Sequence, residues 1–294
     1  MGRSLRIELG SPDAERVILH LHGGGYTQLA NEGNLQYLDR LVKDLNADEA
    51  GCHSVAVLVL AYTPAPEATH PTQLREAATM LSHFVADTGR SEFDIIISGD
   101  SAGGSLAIAV LSHTVHAHPD VPAMRLLRPT NGPLLYSLWV SSRTDYPSFK
   151  NEEFDMLSPL SLHKWAAMFL NKANPNDPET DPGPVSGDSY TEACLNSASW
   201  WVGFNWAVSF IFISYGSHEV LADPIRHWKE ALVDGWGQGE GDTGRVPFFD
   251  GLKQAHIAPI VDIMTPGKTI KTEAQVAIED WYRFHSKKIE SENR

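Results

Sequence analysis

The chain has 294 residues, enough for one large α/β domain or two small ones. Acidic residues outnumber basic ones 37 to 23, a formal net charge of −14. A surface of that sign repels phosphate backbones and anionic membranes, so neither nucleic acid nor a membrane is an expected partner.

The opening stretch MGRSLRIELG has no apolar signal-peptide core, and Arg6 stands where a myristoylation pattern needs Ser or Thr. No apolar run reaches membrane-spanning length, so a cytoplasmic protein is expected. RVILHL (16–21) is a continuous apolar run that reads as a buried strand. EGNLQYLDRLVKDLN (32–46) places apolar residues at a helical period. SVAVLVLAY (54–62) is a second buried strand, and the segment from Pro71 to Gly89 has the punctuation of a helix. FDIIISG (93–99) is a strand, AGGSLAIAVLSHTVHAH (102–118) a helix, and RPTNGPLLYS (128–137) leads into a short strand. WAVSFIFISYG (206–216) is a further strand, DPIRHWKEALVDGW (223–236) a helix, and EAQVAIEDWYRFHSKKI (273–289) a closing helix. Strands alternating with helices predict a mainly parallel sheet covered on both faces.

Residues 141–200 break the alternation. SLHKWAAMFLN (161–171) is an amphipathic helix, and the rest is rich in Pro, Asp, Asn and Ser. A long irregular excursion inside a compact domain reads as a lid or binding insert. The expected organisation is one domain over 1–294 with this insert at about 141–200. Cys52 and Cys194 lack metal-site spacing and are too few for a disulfide framework; both are expected as buried, reduced thiols.

Two glycine clusters carry the chemistry. Gly99-Asp100-Ser101-Ala102-Gly103 is G-x-S-x-G. The bare pattern arises by chance in about one chain in ten of this length. Its setting between a buried strand and a helix is what a nucleophile elbow requires, with Ser101 exposed at a sharp turn. A serine hydroxyl needs a base, the base needs an orienting group, and the oxyanion needs donors. HGGGY (22–26) follows the first buried strand. Its side-chain-free Gly23 and Gly24 amides, with that of Ala102, are the expected oxyanion donors, and His22 is expected to brace the loop.

With HGGGY (22–26), GDSAGG (99–104), GSHEVLADP (216–224) and DGLKQAHIAP (250–259) in that order, the chain resembles the hormone-sensitive-lipase-like esterases of the α/β-hydrolase fold over roughly residues 16–290. Its mid-chain style is also similar to fungal hydrolases of secondary metabolism. The resemblance implies a serine carboxylesterase that uses no metal or cofactor. The expected substrate is a small apolar or polyketide-like ester or lactone, and the expected assembly is a monomer or homodimer. Family members usually carry a long segment before the glycine loop. Only 21 residues precede His22 here, so the cap is expected to be reduced or supplied by the insert.

The family pattern places the acid three residues after Gly216, at Glu219, where relatives usually have Asp. Asp223 is the alternative acid, with helix capping as its other reading. His256 lies downstream of the acid, where the chain order Ser, acid, His puts the base. Aromatic residues in and around the insert suggest an apolar pocket lined by Tyr26, Trp139, Trp200 and Trp201. Two other readings use the same fold: an acyltransferase, cyclase or other biosynthetic enzyme, and a non-catalytic ligand receptor.

Overall fold

The computed structural model describes residues 5–47, 53–177, 180–265 and 270–292. Seven strands form one sheet: β1 (Leu5–Leu9), β2 (Arg16–Leu21), β3 (Val55–Ala61), β4 (Ile95–Asp100), β5 (Gly132–Tyr136), β6 (Phe212–Gly216) and β7 (Phe248–Gly251). Their spatial order is β1-β3-β2-β4-β5-β6-β7. Strand β1 runs antiparallel to β3 and the others are parallel. The central strands are apolar on both faces because both faces are covered. Val17, Leu19, Leu58, Leu60, Ile97 and Leu135 face one apolar core, and Ile18, Val57, Val59, Ile96 and Leu134 face the other.

The first core is completed by helices α2 (Thr72–Asp87), α3 (Ala102–Val115) and α5 (Ala222–Gln238). The second is closed by α1 (Glu32–Asn46), α6 (Ala258–Ile263) and α7 (Glu273–Glu292). The insert contributes α4 (Pro159–Phe169) and several 3-10 turns. Its buried residues Leu157, Leu162, Ala166, Phe169 and Ala193 join the first core rather than forming one of their own. Helix α4 starts where Ser158 and Ser161 cap each other's backbone and Pro159 occupies the first turn.

Three features differ from the sequence expectation. Strand β1 has only five residues, with Ile7 and Glu8 exposed, so it shows no buried run to read. The strand expected over 206–216 is continuous only over Phe212–Gly216: Phe204–Trp206 coils into a 3-10 turn, and Val208 makes an isolated parallel bridge to Thr130. Helix α6 spans six residues, too short for a period to register. Cys194 is a partly exposed free thiol, and Cys52 lies outside the described residues. No helix among the described residues is long and apolar enough to cross a membrane.

The parallel register aligns the strand ends that matter. Leu21 pairs with Gly99, Asp100 with Tyr136, Tyr136 with Ser214, and Gly216 with Gly251. The segments leaving β2, β4, β5, β6 and β7 therefore emerge along one edge, where open α/β sheets hold their ligands. The segment that follows the insert is fixed against α5 by Trp201. Its indole is fully buried, with ring centroids 5.2 Å from Phe204 and 5.8 Å from Trp228. Trp201→Ala should cost about 3–5 kcal/mol of stability. Urea denaturation checks this, and a loss below about 1 kcal/mol would contradict the packing assigned here.

Candidate active site

Ser101 joins β4 to α3 with φ 51° and ψ −121°, a conformation costly for a residue with a side chain. Its neighbours impose it. The Ser101 N–H donates to Tyr136 O (2.9 Å), and Ser101 O accepts from Trp139 N–H (3.1 Å) and Ser105 N–H (3.2 Å). The turn also demands bare backbone on either side. A Cβ on Gly99 would lie 2.3 Å from Gly103 O, and one on Gly103 would lie 2.0 Å from Leu21 O. The G-x-S-x-G spacing thus lets the start of α3 pass against the ends of both β4 and β2.

Between those glycines sits Asp100, which is buried. Its Oδ1 accepts from the Gly23 N–H (2.9 Å), His20 Nε2 (3.2 Å) and Asn34 Nδ2 (3.3 Å). Burial on its own would raise the Asp100 pKa. The His20 hydrogen bond, the charges of His20 and His22 and the Gly23 amide outweigh it and hold the carboxyl below its ordinary range.

This network corrects one expectation. The Gly23 amide is committed to Asp100 and is not free to hold an oxyanion. The next two amides are free: among the described residues neither Gly24 nor Gly25 donates a hydrogen bond, and neither does Ala102. Gly24 and Gly25 take φ +102° and +59°, backbone that glycine adopts without strain. The amides left without a partner beside Ser101 are therefore those of Gly24, Gly25 and Ala102. His22 braces the loop: its Nδ1 donates to Gly23 O (2.7 Å), and its ring stacks on Tyr62 at 4.2 Å. The Tyr62 hydroxyl donates to His22 O (2.8 Å), and burial pushes the His22 pKa down.

Glu219 lies in the turn after β6 and His256 in the loop after β7; both are buried. Glu219 Oε2 is 3.7 Å from His256 Nδ1 and accepts from the Ser137 hydroxyl (2.6 Å) and the Gly216 N–H (3.2 Å). Burial works against a charged His256. The adjacent Glu219 carboxylate, with Asp155 and Asp100 further off, outweighs it and raises the His256 pKa above its ordinary value. Asp223 is held elsewhere: its carboxylate accepts from Ser148 N–H (2.8 Å) and pairs with Arg226 (3.0 Å). It ties the insert to α5 and does not cap its own helix, whose N-cap is Leu221.

Of the four pocket aromatics, two stand near Ser101. The Trp139 amide contacts Ser101 O, and Tyr26, with φ 61°, stacks on Phe169 at 3.8 Å and lies 6.3 Å from Trp139. The other two are corrected to scaffold. Trp200 packs on His116 and its Nε1 donates to Ser112 Oγ (3.3 Å). Ser112 is three turns along α3 from Ser101, about 16 Å away. Trp201 is buried against α5. A residue the sequence reading missed takes their place: Trp165 of α4, whose ring would lie 2.5 Å from a Cβ on Gly25. Its signal was its place on the amphipathic insert helix.

Among the described residues, His70, His118 and Asp188 have donor atoms within 4.8 Å of one another. Asp120 N–H donates to His118 Nδ1 (3.1 Å), so the neutral ring carries its proton on Nε2, a form that does not ligate a metal through that atom. His70 and Asp188 pair directly at 3.2 Å and clamp the insert to the β3–α2 loop.

With the geometry in place, comparison with known proteins decides the family. The family model described as the alpha/beta hydrolase fold matches residues 18–197. The chain belongs to this alpha/beta hydrolase family. It is 28% identical over 186 residues to hormone-sensitive lipase of Bos taurus, covering 61% of this chain and 23% of that protein. It is 25% identical over 222 residues to an acetyl-hydrolase of Streptomyces hygroscopicus, covering 74% and 62%. The chain thus spans under two thirds of the length of these curated relatives. A solved hormone-sensitive lipase from a metagenome library superposes with TM-score 0.70 at 19% identity, covering 98% of this chain and 82% of that one, which is a likeness of fold.

In this hydrolase fold, Asp100→Ala would leave the Gly23 amide, Asn34 and His20 without their shared acceptor. The expected loss is about 1–3 kcal/mol for each buried group left unsatisfied. Urea denaturation measures it, and wild-type stability would show that Asp100 does not hold the loop.

Proposed function

We propose that the chain is a serine esterase that cleaves a small carboxylic ester through an acyl-enzyme on Ser101. The observation that carries the reading is the strained Ser101 turn at the edge where the uncommitted amides of Gly24, Gly25 and Ala102 and the buried Glu219–His256 pair also gather. In this reading His256 accepts the Ser101 proton as the hydroxyl attacks the carbonyl carbon, and then delivers it to the leaving alcohol. Glu219 stabilises the imidazolium that forms. The three amides take the negative charge of the tetrahedral intermediate. Water repeats the sequence to release the acid. The insert serves as the cap, with Trp165 over the glycine loop.

The acid part of the ester is inferred to be short, because the packed rings of Tyr26, Trp139 and Phe169 beside the insert leave only a small cavity between them. The relatives named acetyl-hydrolase and acetyl esterase support the same substrate class.

Ser101→Ala should lower p-nitrophenyl acetate turnover at least about 1,000-fold; unchanged turnover would remove the basis of the proposal. Along the p-nitrophenyl ester series, kcat/KM should fall as the acyl chain lengthens past butyrate, and a preference for long chains would contradict the short pocket. The pH profile has a definite sign. Only neutral His256 accepts a proton, and its pKa is raised, so kcat/KM should climb through a midpoint above 6.5, the ordinary histidine value. An acid limb centred below 6.5 would show that burial dominates Glu219.

A further inference from the structure

We propose that Ser137, outside the three-residue Ser101–His256–Glu219 arrangement, is a positioning residue that fixes the acid and the base relative to each other with one hydroxyl. The inference rests on the esterase reading above. Ser137 stands just past the end of β5, and three strands converge on it. Its hydroxyl is 2.6 Å from Glu219 Oε2, in the turn after β6, and 3.1 Å from the Ile257 N–H, next to His256 in the loop after β7.

The proton on that hydroxyl can be assigned by elimination. A backbone amide only donates, so Ser137 Oγ accepts from Ile257. The single hydroxyl proton is left for Glu219 Oε2, at a distance of 2.6 Å. Ser137 therefore touches both partners at once: its hydroxyl donates to Glu219 Oε2, and its oxygen holds the backbone that carries His256.

The need for such a group follows from the acid. Glu219 has one more rotatable bond than Asp would have. Its Oε1 is buried without a hydrogen-bond partner, as is His256 Nδ1. Only Oε2 is held, by Ser137 and the Gly216 amide, and this is the oxygen 3.7 Å from the imidazole. Without the hydroxyl, one amide alone would keep the carboxylate from swinging away from the ring. The chain also accepts strain to place it. Ser137 has φ 46°, secured by its N–H donating to Ser214 O (2.7 Å), although glycine would occupy that backbone more easily.

The test is steady-state kinetics of Ser137→Ala and Ser137→Gly on p-nitrophenyl acetate, with Ser101→Ala alongside. Glycine relieves the backbone strain and removes the hydroxyl, so it separates a positioning role from a turn-forming one, and it carries the test if the alanine variant does not fold. Both variants should lower kcat about 10- to 100-fold, the cost of a misplacement near 1 Å, with KM close to unchanged. The acid limb of kcat/KM should move to lower pH, because burial opposes a charged His256 once Glu219 no longer faces it. Wild-type kcat and pH profile in Ser137→Gly, with Ser101→Ala inactive, would overturn the role of Ser137 and leave the esterase reading intact. Full activity in Ser101→Ala would overturn the esterase reading itself.

Discussion

A buried carboxylate ties the candidate site together. Asp100 is the last residue of β4 and directly precedes Ser101. Its Oδ1 collects a backbone amide from the glycine loop after β2, an imidazole from β2 and a side-chain amide from α1. A carboxylate out of water must be matched by donors, and here the donors come from the segments that have to be aligned. Asn34 shows the economy of the arrangement: its Oδ1 accepts the Asn31 N–H at the start of α1 while its Nδ2 reaches Asp100. The same bond that commits the Gly23 amide leaves the next two free. The glycine loop is thus aimed by what its first residue cannot do.

The parallel sheet converts this local arrangement into a site. Strand order places β2 and β5 on either side of β4, and β6 and β7 next beyond β5. Segments far apart in sequence therefore leave the sheet side by side. Ser137, Glu219 and Ile257 meet through hydrogen bonds although 82 and 120 residues separate Ser137 from its partners. Non-local placement of this kind depends on strand register, and Gly216 shows how tightly it is set: a Cβ there would lie 2.1 Å from Gln254 O in the loop that carries His256.

Much of this was legible in the sequence, for identifiable reasons. Continuous apolar runs gave β2, β3 and β4, because strands covered on both faces need no polar side. The elbow was legible because steric approach, not substrate, dictates Gly99 and Gly103. What was missed depends on direction rather than composition. Three successive glycines look alike in sequence, and only the Asp100 bond separates Gly23 from the two that follow. Trp200 and Trp201 looked like pocket residues because aromatic content does not reveal which face of a turn is buried. Trp165 and Ser137 carry no motif; their roles arise from neighbours that the fold supplies.

The most direct measurement is a crystal structure of the protein after reaction with a small serine-directed phosphonate. Phosphorus should be bonded to Ser101 Oγ. A phosphoryl oxygen should lie about 2.7–3.1 Å from the amides of Gly24, Gly25 and Ala102, with the Gly23 amide still on Asp100. Phosphorus on another residue, or an oxygen held by the Gly23 amide after it has left Asp100, would contradict this arrangement.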